Sequence, residues 1–415
     1  MSAPRDVLPC RFCATPLEHT FVDLGMSPLC QRHVTPEQRQ HMEPFYPLHA
    51  YVCHSCFLVQ LPPTVAPQEI FSDYAYFSSY VGTLLRNAQD YVNMAVKRFG
   101  LTEDSWVVEL ASNDGYLLQY FIEQGIPVLG VEPAENVAEV AIEKGVPTHV
   151  AFFGTETAEA LVAERGQADL VLGNNVLAHV PDLNDFVEGM HVLLSPGGTI
   201  TMEFPHLCQL MEHNQFDTIY QEHDSYYSFT TVEGVFAAHG ITLFDVDETP
   251  IHGGSLRIYG RHADNNAYPV TDRVHDLKAR EEAMGVTTLD FYFAFAEKVK
   301  ETKRQFLEFL IEAKRAGKTI CGYGAPGKSA TLLNYCGVGT DFIDYTVDRN
   351  PYKQGNFTPG THIPILAPEQ LAETQPDYLV ILPWNLVDEI SEQTSYIREW
   401  GGKWVVPIPA CRVIE

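Results

Sequence analysis

The chain has 415 residues, 45% hydrophobic and 20% charged, an ordinary balance for a folded protein of roughly two to four domains. Its 27 Lys and Arg stand against 54 Asp and Glu, and the formal charge of −27 speaks against nucleic acid or an acidic membrane as partner, since both need a basic footprint. No run approaches the about 18 apolar residues of a membrane span, and MSAPRDVLPC lacks the apolar core of a signal peptide, so a cytoplasmic protein is expected.

Two C-x-x-C knuckles come first, Cys10–Cys13 and Cys53–Cys56. Two tight turns that each present a thiolate pair make a tetrahedral Zn²⁺ site. A cytosolic chain argues against structural disulfides, and a redox C-x-x-C would stand alone beside a βαβ unit. Cys30, His33, His49 and His54 lie nearby, but two complete knuckles leave no vacancy for them. Four thiolates close the coordination sphere, so the zinc is expected to fold its lobe and not to catalyse.

Apolar residues at 81, 84, 85, 88, 91, 92, 95, 96 and 99 predict a helix over 81–99. The run WVVEL (106–110) predicts a strand, followed by the turn ASNDGY. A second strand, VLGVE, ends at Glu132, about 20 residues on, where an acid can accept bonds from two ribose hydroxyls. DLVLGNN (169–175) and LLSPGGTITMEFP (193–205) continue the alternation, which implies α/β architecture with a parallel, doubly wound sheet. A nicotinamide dinucleotide wants G-x-G-x-x-G at the first turn. Here the turn holds one glycine, Gly115, and Asp114 would repel a diphosphate. S-adenosylmethionine carries a sulfonium and an ammonium and suits an acidic turn better. Glu109, Ser112, Asp114, Gly115, Glu132 and Asn174 are the candidate cofactor-binding residues.

Apolar positions from 292 to 313 predict a long amphipathic helix. TICGYGAPGKSATLLNY (319–335) then reads as strand, Gly/Pro turn and helix, FIDYTVD (342–348) and DYLVILP (377–383) as further strands. Gly322, Gly324 and Gly327 match G-x-G-x-x-G, with Lys328 and Ser329 at the helix start. That turn reads either as a phosphate cradle or as a packing turn. As a cradle it would hold the diphosphate of a nucleotide sugar, with Arg349, Asn350, Trp384 and Asn385 at the same sheet edge and Trp384 placed to stack on a base.

The double knuckle, ELASNDGYLL (109–118), GVEPAENVA (130–138), GNNVLAHVPDLNDF (173–186), YQEHDSYYSF (220–229) and HGGSLRIY (252–259) occur together. The whole chain thereby resembles the sugar C-methyltransferases that act on nucleotide-linked 4-keto deoxysugars. The resemblance implies three parts: a zinc-binding lobe over 1–70, a class I methyltransferase domain with a Rossmann-like fold over 71–245, and a second Rossmann-like domain over 246–415. It implies a monomer that methylates C-3 of a TDP-linked 3-amino-4-keto-2,3,6-trideoxy sugar in antibiotic-sugar biosynthesis. It also implies an active-site tyrosine from FSDYAYF (71–77), for which Tyr74 is preferred to Tyr76.

Methylating a carbon beside a ketone needs a base for the α-proton, a donor for the enolate oxygen and a methyl in line with the carbanion. His223 is assigned as the base, with Glu222 orienting it or binding the substrate amine. Tyr220 and His179 are the candidates for the enolate oxygen. Methylation is expected with inversion, because base and sulfonium on one face would clash. Three other readings remain: an N- or O-methyltransferase on a related sugar, a nicotinamide-dependent oxidoreductase using the C-terminal glycine turn, and a non-catalytic zinc-ribbon binding protein for RNA, against which the charge of −27 counts heavily.

Overall fold

A computed structural model of the protein describes residues 8–71, 77–80 and 82–415. The chain divides into two compact units, each assembled from three separate stretches. No helix among the described residues is long and apolar enough to cross a membrane.

The first unit takes 8–18, 53–207 and 224–289. Its sheet has seven strands: β1 (Val107–Leu110), β2 (Val128–Val131), β3 (Thr148–His149), β4 (Ala168–Asn174), β5 (Leu194–Pro205), β6 (Ile241–Thr249) and β7 (Ser255–His262). Their order is β6-β7-β5-β4-β1-β2-β3. Neighbours from β5 to β3 pair in parallel, as the alternation of elements predicts. β7 departs from that expectation and lies antiparallel to both β5 and β6. The reason is the connection. Residues 250–254 reverse the chain in place, with His252, Gly253 and Gly254 all at positive φ, and a tight reversal can join only antiparallel neighbours. Helix α1 (Gly82–Phe99) buries Ala88, Tyr91, Val92 and Ala95 on one face. That face joins Leu117, Phe121, Val128, Leu170 and Leu172 in one apolar core, where each fully buried large side chain contributes about 1.5–3 kcal/mol. Away from this sheet, Val59–Gln60 pairs antiparallel with Ser225–Tyr226.

The second unit takes 19–52, 208–223 and 290–415. Strands β8 (Ile320–Tyr323), β9 (Thr346–Val347), β10 (Ile365–Leu366), β11 (Tyr378–Ile381), β12 (Lys403–Val406) and β13 (Arg412–Ile414) are ordered β10-β9-β8-β11-β12-β13. All pairs are parallel except the terminal β12–β13 hairpin. The strand expected over 342–348 shrinks to β9, because the amides of Phe342 and Ile343 turn back to the Gly339 carbonyl. Helix α2 (Phe295–Arg315) buries Phe295, Val299, Phe306 and Leu310. Helix α3 (Gly327–Cys336) follows β8 and stops at Gly337, whose φ of +72° suits a left-handed cap. The antiparallel pair His19–Ser27 and Tyr46–Val52 belongs to this unit, where the Phe21 ring stacks on Phe295 at 4.8 Å.

Phe21→Ala should therefore weaken the C-terminal unit, although it lies near the start of the chain. A loss of about 3–5 kcal/mol is expected for a fully buried phenylalanine, read as an earlier urea transition with faster proteolysis within 290–415.

Candidate active site

In the first unit the turn after β1 is strained. Ala111, Asn113 and Gly115 have φ of 55°, 51° and 74°, and only glycine adopts such angles freely. Glu132, just beyond β2, holds the turn: one carboxylate oxygen accepts from the Asn113 amide at 2.9 Å, the other from the Ala134 amide at 2.9 Å. The Asn113 side-chain oxygen accepts from the Ser78 amide at 2.8 Å. Two glycines are required by close approach. A Cβ on Gly115 would lie 2.8 Å from Val146 Cγ2, and one on Gly130 would lie 2.2 Å from Ser112 Oγ.

Glu109, Asp114 and Glu132 are all buried here. Burial raises the Glu109 carboxyl well above its ordinary range, and the charges of Glu132 and Asp114 add to the effect. Burial raises Glu132 as well, against the pull of its two amides. Asp114 Oδ2 pairs with Lys144 Nζ at 3.0 Å, which offsets its charge. Glu109 Oε2, Ser112 Oγ and Asp114 Oδ1 are buried and find no hydrogen-bond partner among the described residues. Buried polar atoms of this kind ask for a ligand. An acidic corner with spare acceptors fits S-adenosylmethionine, a cation with ribose hydroxyls, and Glu132 keeps lone pairs beyond those its amides use. Asn174 closes β4 half-buried, and His179 ends the short helical turn Leu177–His179 in the same unit. Arg257, from the HGGSLRIY segment, is buried against Glu203 of β5 at 2.5 Å.

The four knuckle cysteines gather in the first unit, their sulfurs all within 4.8 Å of one another. Cys10–Cys56 and Cys13–Cys53 are each 3.5 Å apart, near the about 3.8 Å that tetrahedral Zn–S bonds of about 2.3 Å impose. The knuckles are built alike. The amide of the residue after each pair, Ala14 or Phe57, donates back to the first cysteine's carbonyl, with φ of 57° and 60°. Gln60 Nε2 donates to Cys10 Sγ at 3.1 Å and the Ser55 amide to Cys53 Sγ at 3.4 Å, both of which favour thiolate.

Tyr220, Glu222 and His223 lie in the second unit. His223 Nδ1 is 2.8 Å from the Thr218 carbonyl. A carbonyl only accepts, so Nδ1 carries the proton and Nε2 is the basic nitrogen. The Tyr220 ring lies 4.1 Å from that of His223. Glu222, 4% exposed, accepts from the Cys30 thiol at 3.1 Å. Burial and the Glu222 charge raise the Cys30 thiol well above its ordinary range, so it stays a donor. Tyr74 and Tyr76 lie outside the described residues.

Close packing accounts for glycine at these three C-terminal positions, and Gly324 also has φ of 86°. Cβ atoms on Gly322, Gly324 and Gly327 would lie 2.7 Å from Thr346 Oγ1, 2.7 Å from Pro383 Cδ and 3.0 Å from Cys30 Sγ. The Ala325 amide is already taken by Asp348 Oδ2 at 2.8 Å, and Ser329 Oγ donates to the Pro326 carbonyl at 2.7 Å. Arg349 is exposed, 3.8 Å from Glu389, and the Asn350 amide bonds Asp348. Lys328 Nζ donates to Asn385 Oδ1 at 2.7 Å and sits 4.6 Å from the Trp384 ring centroid. Trp384 Nε1 donates in turn to Asp217 Oδ2 at 2.8 Å. The sequence reading passed over Asp217, Lys144 and the Cys30–Glu222 bond, because no spacing in the chain marks their partners.

The position of β7, reversed between β5 and β6, and the acid-clasped turn after β1 define a class I S-adenosylmethionine-dependent methyltransferase. Residues 10–71 match a zinc binding domain family, 84–246 a methyltransferase domain and 250–409 a C-methyltransferase C-terminal domain. Over 411 residues the chain is 36% identical to the C-methyltransferase NovU of Streptomyces niveus, covering 99% of this chain and 98% of that one. It belongs to that C-methyltransferase family, and it is an S-adenosylmethionine-dependent C-methyltransferase. A ubiquinone biosynthesis O-methyltransferase of Pseudomonas aeruginosa (strain LESB58) is 31% identical over 114 residues, 26% of this chain and 47% of that protein's length. The crystal structure of an S-adenosylmethionine-dependent methyltransferase from Clostridium acetobutylicum aligns with a TM-score of 0.35 at 13% identity, over 43% of this chain and 92% of that one.

Gly130→Ala should drive Ser112 out of the donor turn and weaken S-adenosylhomocysteine binding about tenfold in calorimetry, the scale of overpacking a tight site. Metal analysis of the purified chain should find one zinc per chain. Cys13→Ser should lose it and lower the thermal midpoint, while Cys30→Ser should keep it.

Proposed function

We propose that this enzyme methylates C-3 of a TDP-linked 3-amino-4-keto-2,3,6-trideoxy sugar on the way to an antibiotic sugar, with His223 as the base. The labour divides along the chain into a metal lobe (1–70), a methyl-donor domain (71–245) and a nucleotide-sugar domain (246–415). The observation that carries the reading is the Nδ1–H bond of His223 to the Thr218 carbonyl. It fixes the tautomer that offers Nε2 as proton acceptor, as removal of the α-proton requires.

S-adenosylmethionine, when bound, supplies an electrophilic methyl group. His223 Nε2 takes the C-3 proton, and the electron pair moves toward the C-4 oxygen. Tyr220 or His179 donates to that oxygen, and Tyr74 is assigned to the active site by the family resemblance alone. Glu222, already oriented by the Cys30 thiol, accepts from the 3-amino group. Lys328 is the cation assigned to the sugar's diphosphate, with Arg349 as a second, exposed cation. The four cysteines hold a structural zinc that takes no part in the chemistry.

Incubation with ¹³C-methyl S-adenosylmethionine and the keto sugar in D₂O should give a labelled methyl on a quaternary C-3, set with inversion. His223→Asn should lower the rate by about 10²–10⁴ while S-adenosylhomocysteine binding stays unchanged. A label on nitrogen or oxygen would replace the enolate mechanism with heteroatom methylation.

A further inference from the structure

The second unit holds a carboxylate that the reaction above does not use. Asp217 is 0% exposed, and its Oδ1 has no hydrogen-bond partner among the described residues. Its Oδ2 takes the Trp384 indole N–H at 2.8 Å. The face of the same indole carries the Lys328 ammonium, 4.6 Å from the ring centroid. Asn385 Oδ1, 2.7 Å from Lys328 Nζ, is a neutral acceptor and adds no charge.

An anion therefore grips the edge of the ring and a cation rests on its face. A carboxylate on the indole N–H pushes electron density into the ring and strengthens its hold on the ammonium. Desolvation works toward a neutral Lys328, and the Asp217 charge works against that. The Lys328 charge in turn opposes the burial that pushes Asp217 up to about 6. One face of the Trp384 ring is thus committed to Lys328.

We propose that Asp217 is a positioning residue for recognition of the acceptor's diphosphate: by fixing the Trp384 indole it holds the Lys328 ammonium aimed at that anion. This rests on the assignment of Lys328 to the diphosphate made above, and the test separates the two.

The probe is thymidine diphosphate, titrated by calorimetry into the full-length chain and its variants, with S-adenosylhomocysteine as control ligand. Lys328→Ala should weaken the nucleotide and spare the control. Asp217→Asn keeps the shape and removes the charge, and it should weaken the nucleotide about tenfold, the scale of a desolvated cation–π contact. Trp384→Phe keeps a ring without the N–H and should do the same. Asp217→Asn added to Trp384→Phe should cost nothing more, a non-additivity that loss of packing would not produce. If Lys328→Ala weakens binding but Asp217→Asn does not, the inference is overturned and the diphosphate assignment stands. If Lys328→Ala leaves the affinity unchanged, both fall. Should Asp217→Asn fail to fold, Trp384→Phe decides: wild-type affinity there overturns the inference.

Discussion

Glu132 is the residue on which the donor half depends. Three residues in five hold left-handed backbone angles after β1, and two of them carry side chains that resist it. The turn stays in place because one buried carboxylate takes the Asn113 amide on one oxygen and the Ala134 amide on the other. That single group ties the loop after β1 to the loop after β2. The glycines, the close approach of Ser112 to Gly130 and the offset of Asp114 by Lys144 all follow from keeping this corner small.

In the second unit the corresponding joint is a short stretch, 216–219. Asp217 grips Trp384, the Thr218 carbonyl sets the tautomer of His223, and the Ile219 carbonyl accepts from Thr331 of α3 at 2.8 Å. Three consecutive residues, 217–219, thus connect the proposed base to α3, the helix that carries Lys328 in its first turn. Cys30 adds a second tie, since its thiol bonds Glu222 and its sulfur fills the notch over Gly327. The sequence offers Cys30 as a spare metal ligand; its partner in the fold is a carboxylate.

Local chemistry was legible in the chain. Each C-x-x-C knuckle is written in four residues, and Glu132, which holds the turn after β1, falls at the distance one helical crossover sets. Alternating periodicity carries the parallel part of both sheets. What escaped were pairings across long separations: Asp217 and Trp384 are 167 residues apart, Cys30 and Glu222 192. The C-terminal glycines show the same limit from the other side. Their spacing reads as a phosphate motif, yet the atoms that require them belong to Thr346, Pro383 and Cys30, which no motif includes. β7 escaped because nothing in its composition marks the direction of a strand; only the reversal at 250–254 does.

The interleaving of the two units bears on how such enzymes can be recombined. A splice near residue 250, where the matched C-terminal family begins, would take Trp384 and Thr331 from one parent and Asp217 and Ile219 from the other. The Phe21–Phe295 stack would be divided as well. Chimaeras that keep this unit intact are better built by moving 19–52, 208–223 and 290–415 as one cassette, three grafts that the linear order of the chain does not suggest.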